Sequence, residues 1–224
     1  MIEVQKNIMD ELIRRVTAGE CYSTSRFGDG EWESVLHLKS SKSHNCDGHQ
    51  YFPRMAELLR EALHARQDYL LGMQLYGLRR YAAKIERFLS KQGLTDLRWY
   101  DADELAMHQL SQRLHIDRWF YTLRTSAVLM VGPPHLRVLK DRIGWVNFVQ
   151  VPRVNAFLSI DAIEQRVLDA YSKATKPLVI SISMGMPAGV LVDRLFPKIG
   201  HNAFLLDMGS VYDVYAGRPS RGYH

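Results

Sequence analysis

The chain has 224 residues, of which 46% are hydrophobic and 24% charged, and it carries a formal net charge of +5. This length can bury a sizeable core in one domain spanning 1–224, and the composition is that of an ordinary soluble globular protein. It excludes a bilayer-spanning helix, since no apolar stretch approaches the ~20 residues required, and a disulfide scaffold, since Cys21 and Cys46 are the only cysteines.

Residues 2–18 place Ile2, Met9, Leu12, Ile13 and Val16 at helical spacing, with Gly19 as a stop. The segment is amphipathic and charged and lacks the apolar core of a signal peptide, so the expected location is cytoplasmic. A strand over 21–27 runs into the turn Gly28-Asp29-Gly30, and a helix follows over 31–38. The loop 40–50 holds Asn45, Cys46, Asp47, Gly48 and His49, a density of polar groups that suits an active-site loop. A solvated Asx turn at Asp47-Gly48 would read the same way. His44, Cys46 and His49 also invite a zinc reading, but no second half of such a site occurs elsewhere in the sequence.

Pro53 opens a helix over 53–66, residues 69–74 read as a strand, and a basic helix with Arg79, Arg80, Lys84 and Arg87 ends at Gly93. A short strand over 97–100 leads to an acidic helix start at Asp101, Asp103 and Glu104, with helix continuing to Thr122. Within it, Arg118-Trp119-Phe120-Tyr121 could stack on nucleic-acid bases, although amphipathic packing produces the same pattern. The continuous apolar runs at 127–131 and 178–182 read as strands covered on both faces. Further strands are expected over 146–151 and 202–206, with helices through 136–143, 160–171 and 190–195 between them. The tail, 216–224, reads as a loop.

Strands alternating with helices predict crossover units, hence an α/β, Rossmann-like domain with a mostly parallel sheet and helices on both faces. In such sheets ligands bind beyond the carboxyl ends of the strands. Segments 26–31, 132–133, 152–155, 185–189 and 207–209 all fall at such ends.

The run Arg26-Phe27-Gly28-Asp29-Gly30-Glu31 is the most specific of these. Its glycines allow a sharp turn and close approach to a ligand. Its two carboxylates can converge on one hard cation, although Asp and Glu are also ordinary helix-start residues. Glycine-rich ends leading into helices favour phosphate, and arginine grips phosphate oxygens in a bidentate way. The sequence has no G-x-x-x-x-G-K-[ST] loop and no G-x-G-x-x-G after the first strand, which argues against a P-loop NTPase and a dinucleotide oxidoreductase. An acidic D-x-E turn beside phosphate-binding ends suits metal-assisted group transfer from a nucleoside diphosphate.

This run resembles the start of the GT-D type glycosyltransferases, a family with a Rossmann-like fold and an essential D-x-E motif. The similarity continues through Asp47-Gly48-His49, Gly132-Pro133, residues 152–157 and 185–189, and Leu206-Asp207-Met208-Gly209. It departs at Met184-Gly185-Met186-Pro187, which is less compact than the Gly-Pro turn expected there. The resemblance implies transfer of a sugar from a nucleotide-sugar donor, a UDP-sugar, to a hydroxyl of a glycan or glycoconjugate, with a divalent cation, manganese or magnesium. It puts Asp29 and Glu31 on the cation and Arg26 on the donor phosphates, with Phe27, Gly28, Gly132, Asn155 and Gly185 completing the donor site. The acceptor base is left open among His49, Asp47, Asp207 and Asp213; His49 is favoured because imidazole titrates near neutral pH.

Other functions fit parts of the sequence. The net positive charge favours polyanionic partners, and the arginines at 54–66 and 79–87 would suit a hydroxylated base in DNA as the acceptor. A non-enzymatic nucleic-acid-binding module would use residues 118–124 and leave the acidic turn as a helix cap. A methyltransferase would need no acidic metal turn.

Overall fold

The alternation of strands and helices is realised as one parallel sheet. The computed structural model describes residues 2–6, 8–64, 66–105, 113–175 and 177–218. Among these, the strands are β1 (Val4–Gln5), β2 (Ser23–Phe27), β3 (Tyr69–Met73), β4 (Trp99–Asp101), β5 (Ala127–Gly132), β6 (Asn147–Gln150), β7 (Leu178–Ile182) and β8 (Ala203–Asp207). They lie in the order β1-β4-β3-β2-β8-β7-β5-β6, with every neighbouring pair that is registered running parallel. The fold is therefore the expected α/β, Rossmann-like one.

Side chains alternate across the sheet, so each central strand feeds two cores. Leu129 and Val131 of β5 join one apolar cluster, whereas Val128 and Met130 join the other. The first cluster is covered by α2 (Asp29–Val35), α3 (Pro53–Glu61), α4 (Leu75–Lys91), α7 (Ile160–Ser172) and α8 (Pro187–Ile199). The second is covered by α1 (Met9–Ala18), α5 (Arg113–Arg124) and α6 (Lys140–Ile143). This explains why the runs at 127–131 and 178–182 are apolar without a break.

Several boundaries differ from the expectation. Residues 4–5 form an edge strand against β4, and the first helix begins only at Met9. Ile2 and Val4 serve a strand face as well as a helical one, because both pack on the first core two residues apart. The basic helix starts at Leu75, ahead of Gly77, which a packing contact described below requires. The acidic segment forms a short 3-10 turn, Ala102–Leu105, and the expected helix across 106–112 lies outside the described residues, as does the tail 219–224. Residues 134–143 divide into a 3-10 turn and α6, stopped by Gly144 at φ 76°. Among the described residues no helix is long and apolar enough to cross a membrane.

Candidate active site

The D-x-E turn is fixed from both sides. Phe27, the last residue of β2, is fully buried between Trp32 and Trp99, with ring centroids 5.5 and 5.9 Å away, and this sets where the chain leaves the sheet. Gly28 caps α2, and its N–H donates to Glu31 Oε2 at 2.9 Å. That bond is the return half of a capping box; glycine has no side chain to make the other half. Asp29 Oδ1 accepts the Gly30 N–H at 2.9 Å. Helix α4 presses on the turn through Gly77, where a Cβ would lie 3.0 Å from the Asp29 nitrogen and 3.1 Å from the Gly28 carbonyl carbon. One turn beyond Asp29, buried Glu33 accepts hydrogen bonds from the Tyr51 and Tyr81 hydroxyls, tying α2 to the segments that precede α3 and build α4.

The turn opens into a cleft of about 350 Å³ beyond the carboxyl ends of the strands, where Gln74, Pro133, Pro152, Ser183 and Asp207 mark five of those ends. Its floor is acidic. Asp207 is buried and accepts the Arg26 N–H at 3.0 Å and the Gly209 N–H at 3.1 Å. Burial raises its pKa to about 6 despite the opposing charge of Arg26. Glu31 keeps some exposed surface toward the cleft, yet protein encloses its carboxyl on most sides. That desolvation, helped by the charges of Asp207 and Asp29, raises its pKa to about 7.

Arg26 reaches the cleft wall but is engaged from behind. Nη1 donates to the Met208 carbonyl at 2.8 Å and Nη2 to the Ala102 carbonyl at 3.4 Å, and the side chain is buried. Gly209, at φ 50°, makes room for it, since a Cβ there would sit 2.4 Å from Nη1. Its charge therefore acts on the cleft while Nη1 braces the loop after β8 and Nη2 the segment after β4.

No protein-family model matches the sequence, and no curated protein matches it. Solved structures do match. A glycosyltransferase (DUF1792) from Streptococcus sanguinis superposes with a TM-score of 0.67 at 18% identity, over 96% of this chain and 86% of that one. A structure described as a highly conserved domain of unknown function 1792 with a distinct glycosyltransferase fold gives a TM-score of 0.66 at 21% identity, over 97% and 83%. The fold is that of the DUF1792 glycosyltransferases.

On the DUF1792 fold, the cleft gathers most of the residues singled out in the sequence. Arg26, Gly28, Asp29, Glu31, His49 and Gly185 all line it. Phe27 and Gly132 do not. Phe27 is core, and Gly132 lies beneath Leu136, whose Cδ1 would be 2.8 Å from an added Cβ. Asn155 supports the wall from behind. Held at φ 55°, it donates its N–H to His49 Nδ1 at 3.3 Å, and its side chain accepts the Gln50 N–H at 2.8 Å. With Nδ1 accepting, a neutral His49 ring carries its proton on Nε2, the atom that faces Gly185.

One pair has no signal in the sequence. His135 Nε2 and Asp213 Oδ1 are 2.9 Å apart on the cleft wall. Asp213 stood among the candidate bases, but nothing in the sequence links it to a histidine 78 positions away.

The remaining motifs resolve into structure. Among the described residues no group of three His, Cys, Asp or Glu side chains is arranged to hold a metal ion, so the zinc reading of His44, Cys46 and His49 finds no support. Cys21 and Cys46 are not joined in a disulfide. Trp119 and Phe120 are buried in the second core, and Arg118 pairs with Asp10 at 2.6 Å, so residues 118–120 serve packing rather than base stacking. Among the arginines over 54–66, Arg54 pairs with Glu57, Arg60 donates to the Val35 carbonyl and Arg66 faces Asp193.

Proposed function

We propose that the protein is a metal-dependent glycosyltransferase that moves a sugar from a nucleotide-sugar donor, a UDP-sugar, to a hydroxyl of a glycan or glycoconjugate in the cytoplasm. The observation that carries this reading is the acidic turn Asp29–Glu31 opening into the cleft of a fold shared with glycosyltransferases.

The donor set fits a hard divalent cation. Asp29 and Glu31 share one turn, and the pKa of Glu31 is raised chiefly by desolvation and then by the charges of Asp207 and Asp29. Magnesium-like ions are commonly held by one or two carboxylates, with substrate phosphates and water completing the shell. Asp29 and Glu31 would hold the ion, which when bound acts as a Lewis acid that offsets the charge of the departing diphosphate.

The chain's other groups then take defined tasks. The N-terminus of α8 meets the cleft through Gly185 and Met186, and the positive end of that 13-residue helix favours an anionic diphosphate. Arg26 adds positive potential from below without giving up its carbonyl partners. His49 presents an N–H, suited to a donor oxygen. Asp213, its carboxylate oriented by His135, is our candidate for the base that removes the proton from the acceptor hydroxyl.

The test is sugar transfer by Asp29→Ala and Glu31→Ala with donor and manganese saturating. Each should lose transfer by about 100-fold or more, while the ligand-free circular dichroism spectrum is unchanged. Wild-type turnover in either variant contradicts the reading.

A further inference from the structure

A second concavity of about 460 Å³ adjoins the cleft, and Pro152 and Arg153 line both. It lies at the carboxyl end of β6, the last strand of the sheet, where Gln150 lines it, and is lined on its far side by Arg166 of α7. Arg166 Nη2 donates to the Gln150 carbonyl at 2.8 Å, and Arg137 Nη2 donates to the Gln150 side chain at 3.4 Å. Arg137 is further oriented by lying 4.5 Å over the Phe148 ring. Gln150 therefore engages Arg166, which lines the concavity, through its main chain and Arg137, which lies outside the lining, through its side chain, each with one of its five N–H donors committed.

The charge here is unbalanced. Arg14, Arg15, Arg54, Arg66, Arg118 and Arg194 each face a carboxylate. Among the described residues none of Arg137, Arg153 and Arg166 takes part in an ion pair with a carboxylate, although all three are solvent-exposed. Blunting of an exposed sheet edge explains an arginine on the Gln150 carbonyl. It does not explain Arg153, which lies beyond the end of the strand, or the continuity with the cleft.

We infer that this concavity is an acceptor subsite for a phosphate group, so that the acceptor is a phosphorylated sugar or glycan; the inference rests on the glycosyltransferase reading. Guanidinium forks match phosphate oxygens, and Arg153 and Arg166 both line the concavity, with Arg137 engaging Gln150 beside it. Arg153, shared by both concavities, places the phosphate beside the donor cleft, where the acceptor hydroxyl must arrive.

The test is calorimetric titration of glucose phosphate and of glucose into the protein, with and without saturating UDP and manganese to fill the cleft. Glucose phosphate should bind and glucose should bind at least about tenfold more weakly. The double variant Arg137→Gln with Arg166→Gln should lose about tenfold in affinity for the phosphate, while UDP and manganese bind as before, which also certifies its fold. Vesicles containing phosphatidic acid form a second arm: capture that depends on the same arginines, with weak binding of soluble glucose phosphate, supports the subsite and assigns its phosphate to a lipid headgroup. Equal binding of glucose and glucose phosphate, absence of both binding and capture, no loss in the double variant, or displacement by duplex DNA in preference to glucose phosphate overturns the inference. Failure of UDP and manganese to bind wild-type protein, with an arginine-dependent phosphate titration intact, removes the glycosyltransferase reading and leaves the anion subsite standing.

Discussion

Asp207 links the stability of the molecule to pH. Its pKa rises from 3.8 to about 6 in the fold, chiefly through burial. A carboxyl with a raised folded-state pKa binds its proton more tightly when folded, so the associated stability is complete below the unfolded value and is lost as pH rises through about 6. A rise of that size corresponds to about 3 kcal/mol. Chemical denaturation with chelator present should therefore show wild-type protein losing stability relative to Asp207→Asn by about that amount between roughly pH 4 and 7. Parallel stability curves for the two proteins would mean that the carboxyl is not titrating in this window. At the neighbouring turn, Glu31→Gln keeps the acceptor for the Gly28 N–H but removes a charge, so it should spare the fold and abolish manganese binding measured by calorimetry. The D-x-E spacing was legible in the sequence because both carboxylates belong to one turn. The His135–Asp213 pair was not, because it depends on two loops that only the sheet brings together.

Among the elements, the site depends on how α2 is clamped. Gly77 lets α4 approach the Gly28–Asp29 backbone, and the contact partner is main chain rather than a flexible side chain. Alanine normally stabilises a helix interior relative to glycine by about 1 kcal/mol. Gly77→Ala should instead destabilise by about 1–3 kcal/mol through overpacking, and should weaken manganese binding by displacing Asp29. A gain in urea midpoint would show that α4 does not press on the turn. Glu33→Ala should cost about 1–3 kcal/mol by leaving the buried Tyr51 hydroxyl and the partly buried Tyr81 hydroxyl without their acceptor. Glycine between a strand and a helix usually marks a break. Here the same residue is a close-packing point inside a helix, and that distinction depends on a neighbour 48 positions upstream of Gly77 in Asp29. The buried strands were easier to read, since coverage by helices on both faces demands an unbroken apolar run.

Across the whole molecule, the parallel sheet does the assembling. Asp29, His49, Gly185 and Asp207 come from distant parts of the chain and meet because parallel strands deliver all their carboxyl ends to one edge. That convergence was predictable from strand–helix alternation alone, whereas the two-residue edge strand β1 and the arginine-lined concavity at β6 were not, since both depend on which strands end the sheet. The proposed function requires this edge to bind a nucleotide sugar through a cation held by Asp29 and Glu31. Thermal melting of the protein against a panel of nucleotide sugars, with and without manganese, is the decisive measurement. One donor should raise Tm only when manganese is present, chelator should reverse the shift, and Asp29→Ala should show none. A donor shift that is independent of manganese, or that persists in Asp29→Ala, would contradict the cation's role and with it the proposed function.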